Sequence, residues 1–320
     1  METDSKTILQ DIAQLRNHTN VLDKINISQT YQNLGNSVKS SIYFDKCISN
    51  VSLGDDTAAI LQEDGSYLLF AAEGIIEDFL ISDPWFAGYS AVMVNISDIC
   101  AMGGLPIAVT DTLYAKNEKN TKEIWEGMLT ASKNYGVPIV GGHTCYHTNS
   151  KALSVSIIGR ATKHILTSFN AVPGEELLLA IDQKGMYYKN YPFWNASTNT
   201  APETLQEQVK LPYIIANQEL STVAKDISMG GILGTIHMLM NTSKIGVEIN
   251  LKKITKPADI SWNKWLISFP SYGYLFSCKT HNISHIKAIF SKYKIQCDHI
   301  GHITAERKLL INHNDEKLKF

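Results

Sequence analysis

The sequence predicts an α/β protein of two domains. From Tyr67 onward, short apolar runs with strand character alternate with longer segments of helical spacing, the pattern of mixed α/β layers. Residues 161–175, with Asn170, Pro173 and Gly174, interrupt that alternation near mid-chain, and a second α/β set follows. With 320 residues, each set has enough chain for its own core. The expected division is an N-terminal helix and arm over 1–50, a first domain over 51–165 and a second over 166–320.

Residues 7–16 carry a weakly amphipathic helical pattern, and 17–50 are polar and mixed, suited to an arm or cover over the first domain. Tyr67-Leu-Leu-Phe-Ala-Ala72 reads as a buried strand. Residues 85–102 read as a helix stopped by Gly103-Gly104, with Pro106 beyond, and 107–113 is strand-like. Asn120 stands as the next helix start, with Glu123 in capping-box position. Ile124, Trp125, Met128, Leu129, Ser132 and Tyr135 keep helical spacing until Gly136. Strands follow at 137–140 and 154–159. The second set reads as a strand at 176–181, a polar aromatic insertion at 185–208, helices near 215–225 and 231–242, a strand at 246–251, a strand at 273–278, a helix at 282–293 and a strand at 297–303.

Composition removes several classes of function. Apolar residues make up 44% and charged ones 19%, with a net charge of −2, so the chain is neither disordered nor a basic nucleic-acid binder. No apolar run approaches a membrane span, and Met1 to Asn20 lacks a signal core. Cys47, Cys100, Cys145, Cys278 and Cys297 are odd in number and widely spaced. That argues against a disulfide framework or a structural zinc site and makes a reducing cytoplasm the default.

Four segments carry candidate chemistry. Ser52-Leu-Gly-Asp-Asp-Thr-Ala-Ala-Ile60 sets two adjacent carboxylates after a glycine. Such a pair makes ordinary turns, but a metal–nucleotide site also needs it, because Mg²⁺ takes hard oxygen ligands and bridges phosphate oxygens. Ala91-Val-Met-Val-Asn-Ile-Ser-Asp-Ile-Cys-Ala-Met-Gly-Gly104 puts Asn95 and Asp98 on one helix face. An acid in so apolar a helix is costly unsolvated, so Asp98 either fastens the helix to a neighbour or faces a ligand. Val137-Pro-Ile-Val-Gly-Gly-His-Thr-Cys-Tyr-His147 runs a buried strand into Gly141 and Gly142, where a backbone can approach a ligand. If extended, it turns His143, Cys145 and His147 to one side, as a soft metal site, a Cys–His pair or a loop whose cysteine packs. Lys225-Asp-Ile-Ser-Met-Gly-Gly-Ile-Leu-Gly-Thr235 opens a helix. Gly230 and Gly231 either leave N–H groups free for phosphate or make a tight turn beside a satisfied Asp226.

Together these segments resemble the superfamily of aminoimidazole ribonucleotide synthetase, thiamine-monophosphate kinase, selenophosphate synthetase and the hydrogenase-maturation dehydratase. The resemblance runs from about residue 50 to residue 305. Gly54-Asp55-Asp56-Thr57-Ala58-Ala59 is similar to the first metal-binding loop, and Asn95-Ile-Ser-Asp98-Ile99 with Ala101-Met-Gly-Gly104 to the helical signature. Gly141-Gly142-His143-Thr144 looks like the selenophosphate synthetase form of a segment that carries an acid in the kinase. Ser156-Ile-Ile-Gly-Arg160 and Pro173-Gly174-Glu175 resemble the link to the second domain, and Asp226-Ile-Ser-Met-Gly-Gly231 the second-domain loop.

The resemblance implies an AIR-synthetase-like fold: an N-terminal domain with a mixed sheet and helices that forms the core of a homodimer, then a C-terminal α/β domain. It implies ATP in the first-domain cleft, Mg²⁺ held by aspartates, and transfer of the γ-phosphate to an oxygen of a small-molecule substrate, as final product or to activate an amide or carbonyl. Asp56, Asp98 and Asp226 are the expected catalytic residues, and Asp55, Asp56, Glu73, Asp98 and Asp226 the expected metal ligands. Gly54, Asn95, Gly141, Gly142, His143, Thr144, Gly230 and Gly231 are the expected nucleotide contacts. The chain departs from the pattern in places. Met229 stands where the kinase loop has a second aspartate, Glu73 stands at a Thr-Asp type motif, and Cys47 lacks the glycine-rich setting that selenide chemistry needs. A nucleotide-binding partner protein without turnover is therefore the alternative. The aromatic run Tyr187-Tyr-Lys-Asn-Tyr-Pro-Phe-Trp194 either covers a substrate pocket or packs on itself.

Overall fold

The computed structural model describes residues 5–30 and 51–320, so Cys47 and most of the expected arm lie outside the described residues. Helices α1 (Ser5–Gln14) and α2 (Thr19–Thr30) come first. A five-stranded sheet follows, built from β1 (Ala58–Leu61), β2 (Tyr67–Ile75), β3 (Leu105–Tyr114), β4 (Ile139–Cys145) and β5 (Ala152–Ala161) in the order β1-β2-β5-β3-β4. Helices α3 (Glu77–Ser82), α4 (Pro84–Ala101) and α5 (Lys122–Tyr135) belong to this half.

The second half is a seven-stranded sheet, order β15-β14-β10-β13-β6-β12-β9, from β6 (Glu176–Ile181), β9 (Val223–Asp226), β10 (Gly246–Asn250), β12 (Gly273–Cys278), β13 (Gln296–Thr304), β14 (Leu309–His313) and β15 (Glu316–Lys319). Helices α6 (Pro202–Asn217), α7 (Gly231–Ser243), α8 (Trp262–Ile267) and α9 (Ile283–Ser291) accompany it. Short strands β7 (Met186–Tyr187) and β8 (Phe193–Asn195) of the aromatic insertion form a third sheet with β11 (Phe269–Pro270). No described helix is long and apolar enough to cross a membrane.

One face of the first sheet packs on helices. Leu69, Ala71, Val109, Leu113, Val155 and Ile157 share a core with Tyr89, Val92, Ile96 and Ile99 of α4 and with Ile124 and Met128 of α5. That core continues into the second half through Leu178, Ala180, Phe276 and Phe290. Because α4 is enclosed on nearly every side, its sequence is apolar all round instead of amphipathic.

The structure alters several expectations. Helix α5 starts after Thr121; the Asn117 side chain accepts the Asn120 N–H and turns 118–120 into a 3₁₀ step, so Asn120 is not the cap. Strand β4 is the exposed edge of its sheet, not a buried strand, since only β3 pairs with it. The helix expected at 215–225 is α6, which runs from 202 and ends at 217 before β9 begins. Its polar face and the internal Pro212 hid the buried stripe of Leu205, Val209, Leu211 and Ile215. The N-terminal segment turns to the second half as well: Leu9 and Ile12 of α1 pack with Ile232, Ile236, Val247 and Ile311.

Candidate active site

A cleft of about 800 Å³ is lined by residues of both halves. Helix α4 gives it one stripe: Phe86, Ser90, Met93, Val94, Ser97 and Asp98, at helical spacing. The turn from Leu53 to Thr57 and the end of β2, including Glu73, form a second wall. Lys225 and Asp226 of β9, the following Ser228 and Met229, and Asn20 and Lys24 of α2 come from elsewhere in the chain.

At one end of this stripe, carboxylate oxygens of Asp56, Asp98 and Asp226 lie within 4.8 Å of one another. Lys225, only 2% exposed, donates from Nζ to Asp56 and stands 3.6 Å from Asp55 Oδ1. Asp55 Oδ1 accepts the Asp56 N–H at 3.0 Å, and Asp55 Oδ2 accepts the Ser168 N–H at 2.6 Å. Asp56 Oδ2 accepts the Asp226 N–H at 3.3 Å. The two adjacent acids therefore divide their work: Asp56 joins the triad, whereas the fully enclosed Asp55 ties the first half to Lys225 and to the start of the second.

The electrostatics follow from burial. Asp98 is pushed well above the usual carboxylate range by desolvation and then by Asp226, Glu73 and Asp56. Asp226 is raised to about 7, by desolvation first and by Asp56 second, against the pull of Lys225. Asp55 is raised by burial despite Lys225. Burial by itself would lower the Lys225 ammonium, but Asp56, Asp55 and Asp226 outweigh it and hold the charge. Acids that resist ionising together are short of positive charge. Asp98 Oδ2, and Thr57 Oγ1 next to Asp56 in the chain, are moreover buried without a hydrogen-bond partner among the described residues. Three hard oxygen donors converging there suit Mg²⁺.

The other expected residues divide between the cleft and elsewhere. Gly54 and Glu73 line the cleft, with Glu73 outside the triad. Asn95 shares the helix with Asp98 but not the cleft wall; it is buried and its amide donates to Ala91 O at 2.8 Å. Gly141, Gly142, His143 and Thr144 lie on the exposed edge strand β4 and do not line the cleft. Gly142 has a packing reason: a Cβ there would run into the carboxylate of Asp111, a buried acid whose oxygens have no partner among the described residues. Gly230 and Gly231 also lie off the cleft wall. A Cβ on Gly230 would meet Asn20 O at 2.9 Å, and one on Gly231 would meet the backbone of Ile267, so these glycines admit α2 and the end of α8 to the start of α7. His143, Cys145 and His147 form no metal-binding group among the described residues; the Cys145 thiol donates to Tyr146 O, and the His147 backbone turns to φ 71°. His237 packs by the ring of Phe320 at 5.5 Å.

Sequence reasoning missed Lys225, Lys24 and Asn20. For Lys225 a signal existed: a lysine inside the apolar run Val223-Ala-Lys-Asp-Ile227 demands a buried partner. For the α2 residues nothing local pointed to the cleft. The aromatic insertion does reach it, through Tyr191, Pro192 and Phe193.

Comparison with known proteins places this geometry. Residues 54–161 match the model of the AIR synthase related protein N-terminal domain, and residues 180–313 that of the C-terminal domain. The uncharacterized protein sll0787 of Synechocystis is 44% identical over 271 residues, 84% of either chain. The thiamine-monophosphate kinase of Buchnera aphidicola (subsp. Schizaphis graminum) is 27% identical, over 84% of this chain and 89% of its own. Among solved structures, T. maritima PurL complexed with ATP superposes with a TM-score of 0.73 at 18% identity, covering 97% of this chain and 53% of PurL, so the chain spans about half of that protein's length. With both models matched in order and a relative that similar over most of its length, the chain belongs to the AIR synthase related family.

Proposed function

We propose that this chain is a Mg²⁺-dependent enzyme that transfers the γ-phosphate of ATP to an oxygen of a small molecule, either as a kinase or to activate an amide or carbonyl. The observation that carries this is the buried convergence of Asp56, Asp98 and Asp226 beside Lys225 at the end of a cleft large enough for a nucleotide and a second ligand. The PurL structure bound to ATP and the thiamine-monophosphate kinase relative support it. Asp56, Asp98 and Asp226 would hold the metal. Bound there, Mg²⁺ supplies the positive charge that phosphoryl transfer needs at the phosphate oxygens. Lys225 holds Asp56 in place and offsets its charge, Asp55 locks Lys225, and Lys24 brings a second cation to the cleft wall. Catalysis in such a site comes from positioning and charge neutralisation, and these residues do both.

The reading includes a homodimer built on the open face of the first sheet. There Phe70, Ile107, Val140 and Ile158 are 46%, 45%, 64% and 37% exposed. Phe70 pairs with Ile158 across β2 and β5, so these two apolar residues adjoin, as a self-associating face requires.

The deciding experiment is thermal stabilisation by ATP with and without Mg²⁺, in wild type and in Asp98→Asn. A metal-dependent shift that Asp98→Asn abolishes is the expected result; no shift in wild type would sink the nucleotide assignment. Met229, 48% exposed in the cleft where an acid is expected, favours a second reading, a nucleotide binder without turnover. That reading requires the Mg²⁺-dependent shift with no ADP formed alongside any acceptor.

A further inference from the structure

The cleft has a second end that the phosphoryl-transfer reading leaves unused. Along α4 the lining residues run from Asp98 back to Phe86, about 18 Å at 1.5 Å per residue. At the Phe86 end the walls are aromatic and come from both halves: Phe79 and Phe86 from the first, Tyr191, Phe193 and Phe269 from the second. They hold one another edge to face. Phe79 meets Tyr191 at 5.0 Å, Phe86 meets Phe193 at 5.1 Å and Phe193 meets Phe269 at 5.2 Å between ring centres. Polar ties pin the insertion from outside: Ser82 Oγ and Tyr191 OH share a hydrogen bond of 2.8 Å, and Lys189 pairs with the buried Asp83. These walls are thus set before any ligand arrives.

Most of the hydrogen-bonding groups on these walls are already engaged; the hydroxyls of Ser90 and Ser271 keep a proton to donate. The backbone N–H groups of Tyr191, Phe269 and Ser271 go to the carbonyls of Tyr188, Pro192 and Trp194. Pro192 and Pro270 have no N–H to offer. Tyr191 OH is held by Ser82, and Ser271 Oγ accepts the Ala196 N–H at 2.8 Å. A nucleobase buried here would find at most the Ser90 and Ser271 hydroxyls for its several ring nitrogens and amino group, which is costly, whereas an apolar ring would gain from burial alone.

We infer that the Phe79–Tyr191–Phe193–Phe269 end of the cleft is the acceptor subsite, and that it takes a flat apolar or aromatic group whose attached oxygen reaches back along α4 toward the acid cluster. This rests on the proposed phosphoryl-transfer function for the role of the acid end. It assigns the aromatic insertion to substrate specificity and leaves the adenine outside this arm.

The test uses the full chain and 2-naphthylmethanol, a fluorescent uncharged aryl alcohol, titrated with and without Mg²⁺ and AMPPCP. Saturable binding that persists with saturating nucleotide analogue, and that weakens roughly tenfold in Tyr191→Ala and Phe269→Ala, is the expected result. Competition between the analogue and the naphthyl probe would place the nucleobase in this arm and overturn the inference. So would unchanged probe binding in both variants, which would make the aromatic residues packing only. Should the variants fail to fold, photolabelling of wild type with 4-azidobenzyl alcohol decides the matter. Adducts within 187–194 and on Met93 or Phe269, prevented by 2-naphthylmethanol, support the subsite; adducts elsewhere dismiss it. If wild type binds the probe but never the Mg²⁺–analogue complex, the phosphoryl-transfer reading fails while the aryl site stands.

Discussion

Replacing Lys225 with Met keeps the length and apolar stem of the side chain but removes the buried cation between Asp55 and Asp56. Two enclosed carboxylates then face one another and Asp226 with only Lys24 of the cleft wall as a nearby protein cation. Breaking a buried ion pair by deleting one partner costs about 3–5 kcal/mol. For a domain of this size each kcal/mol lowers the melting temperature by about 2–4 °C, so a fall of roughly 10 °C is expected in EDTA. Divalent metal should return much of it, because the uncompensated acids now bind the ion more tightly. At about 100 times its dissociation constant a ligand restores about 2.7 kcal/mol. The assay is differential scanning fluorimetry of wild type and Lys225→Met in EDTA and across a Mg²⁺ series. A melting temperature within about 2 °C of wild type in EDTA, or a Mg²⁺ response no larger than wild type's, would refute the claim that Lys225 is the resident counter-charge of the cluster.

Further predictions concern the pH response, the edge strand and the open sheet face. Because the native Asp226 carboxyl is raised to about 7, the folded chain keeps a proton that the unfolded chain releases near pH 4. Its contribution therefore favours folding at low pH and is lost as pH rises from about 4 to 7, then stays flat. In EDTA the melting temperature of Asp226→Asn should gain on wild type between pH 5 and 7.5, and a constant difference would contradict the assignment. Gly142→Ala should destabilise by about 1–3 kcal/mol through overlap with the Asp111 carboxylate and with Asp111 O, 2.6 Å from the added Cβ, and Asp111→Ala should recover only the carboxylate's share of that cost in a double-mutant cycle measured by urea unfolding. Ile158→Lys, on the open sheet face, should convert the proposed dimer to monomer in sedimentation velocity with little change in the fold's circular dichroism.

Much of this chain could be read from its sequence because the controlling interactions are local. The helix over α4 announced itself by an apolar run ended by Gly103-Gly104, α5 by its spacing and its stop at Gly136, whose φ of 69° only a residue without Cβ adopts easily, and β6 by five apolar residues after Glu176. The acids at 56, 98 and 226 were legible as motifs, since each lies where an unpaired charge is costly. Tertiary structure decided the rest. Whether Asp55 or Asp56 joins the acid triad depends on Lys225 and Ser168, more than a hundred residues away, not on the identical chemistry of the two side chains. Gly142, Gly230 and Gly231 look alike in sequence to glycines that cradle phosphate, yet the Asp111 carboxylate, helix α2 and the end of helix α8 fill the space their missing Cβ atoms leave. The cleft itself, with α2 and the aromatic insertion as walls, exists only where the halves meet. Local periodicity reports which face of an element is apolar; which partner covers that face, and which charge neutralises a buried acid, is fixed by contacts between segments far apart in the chain.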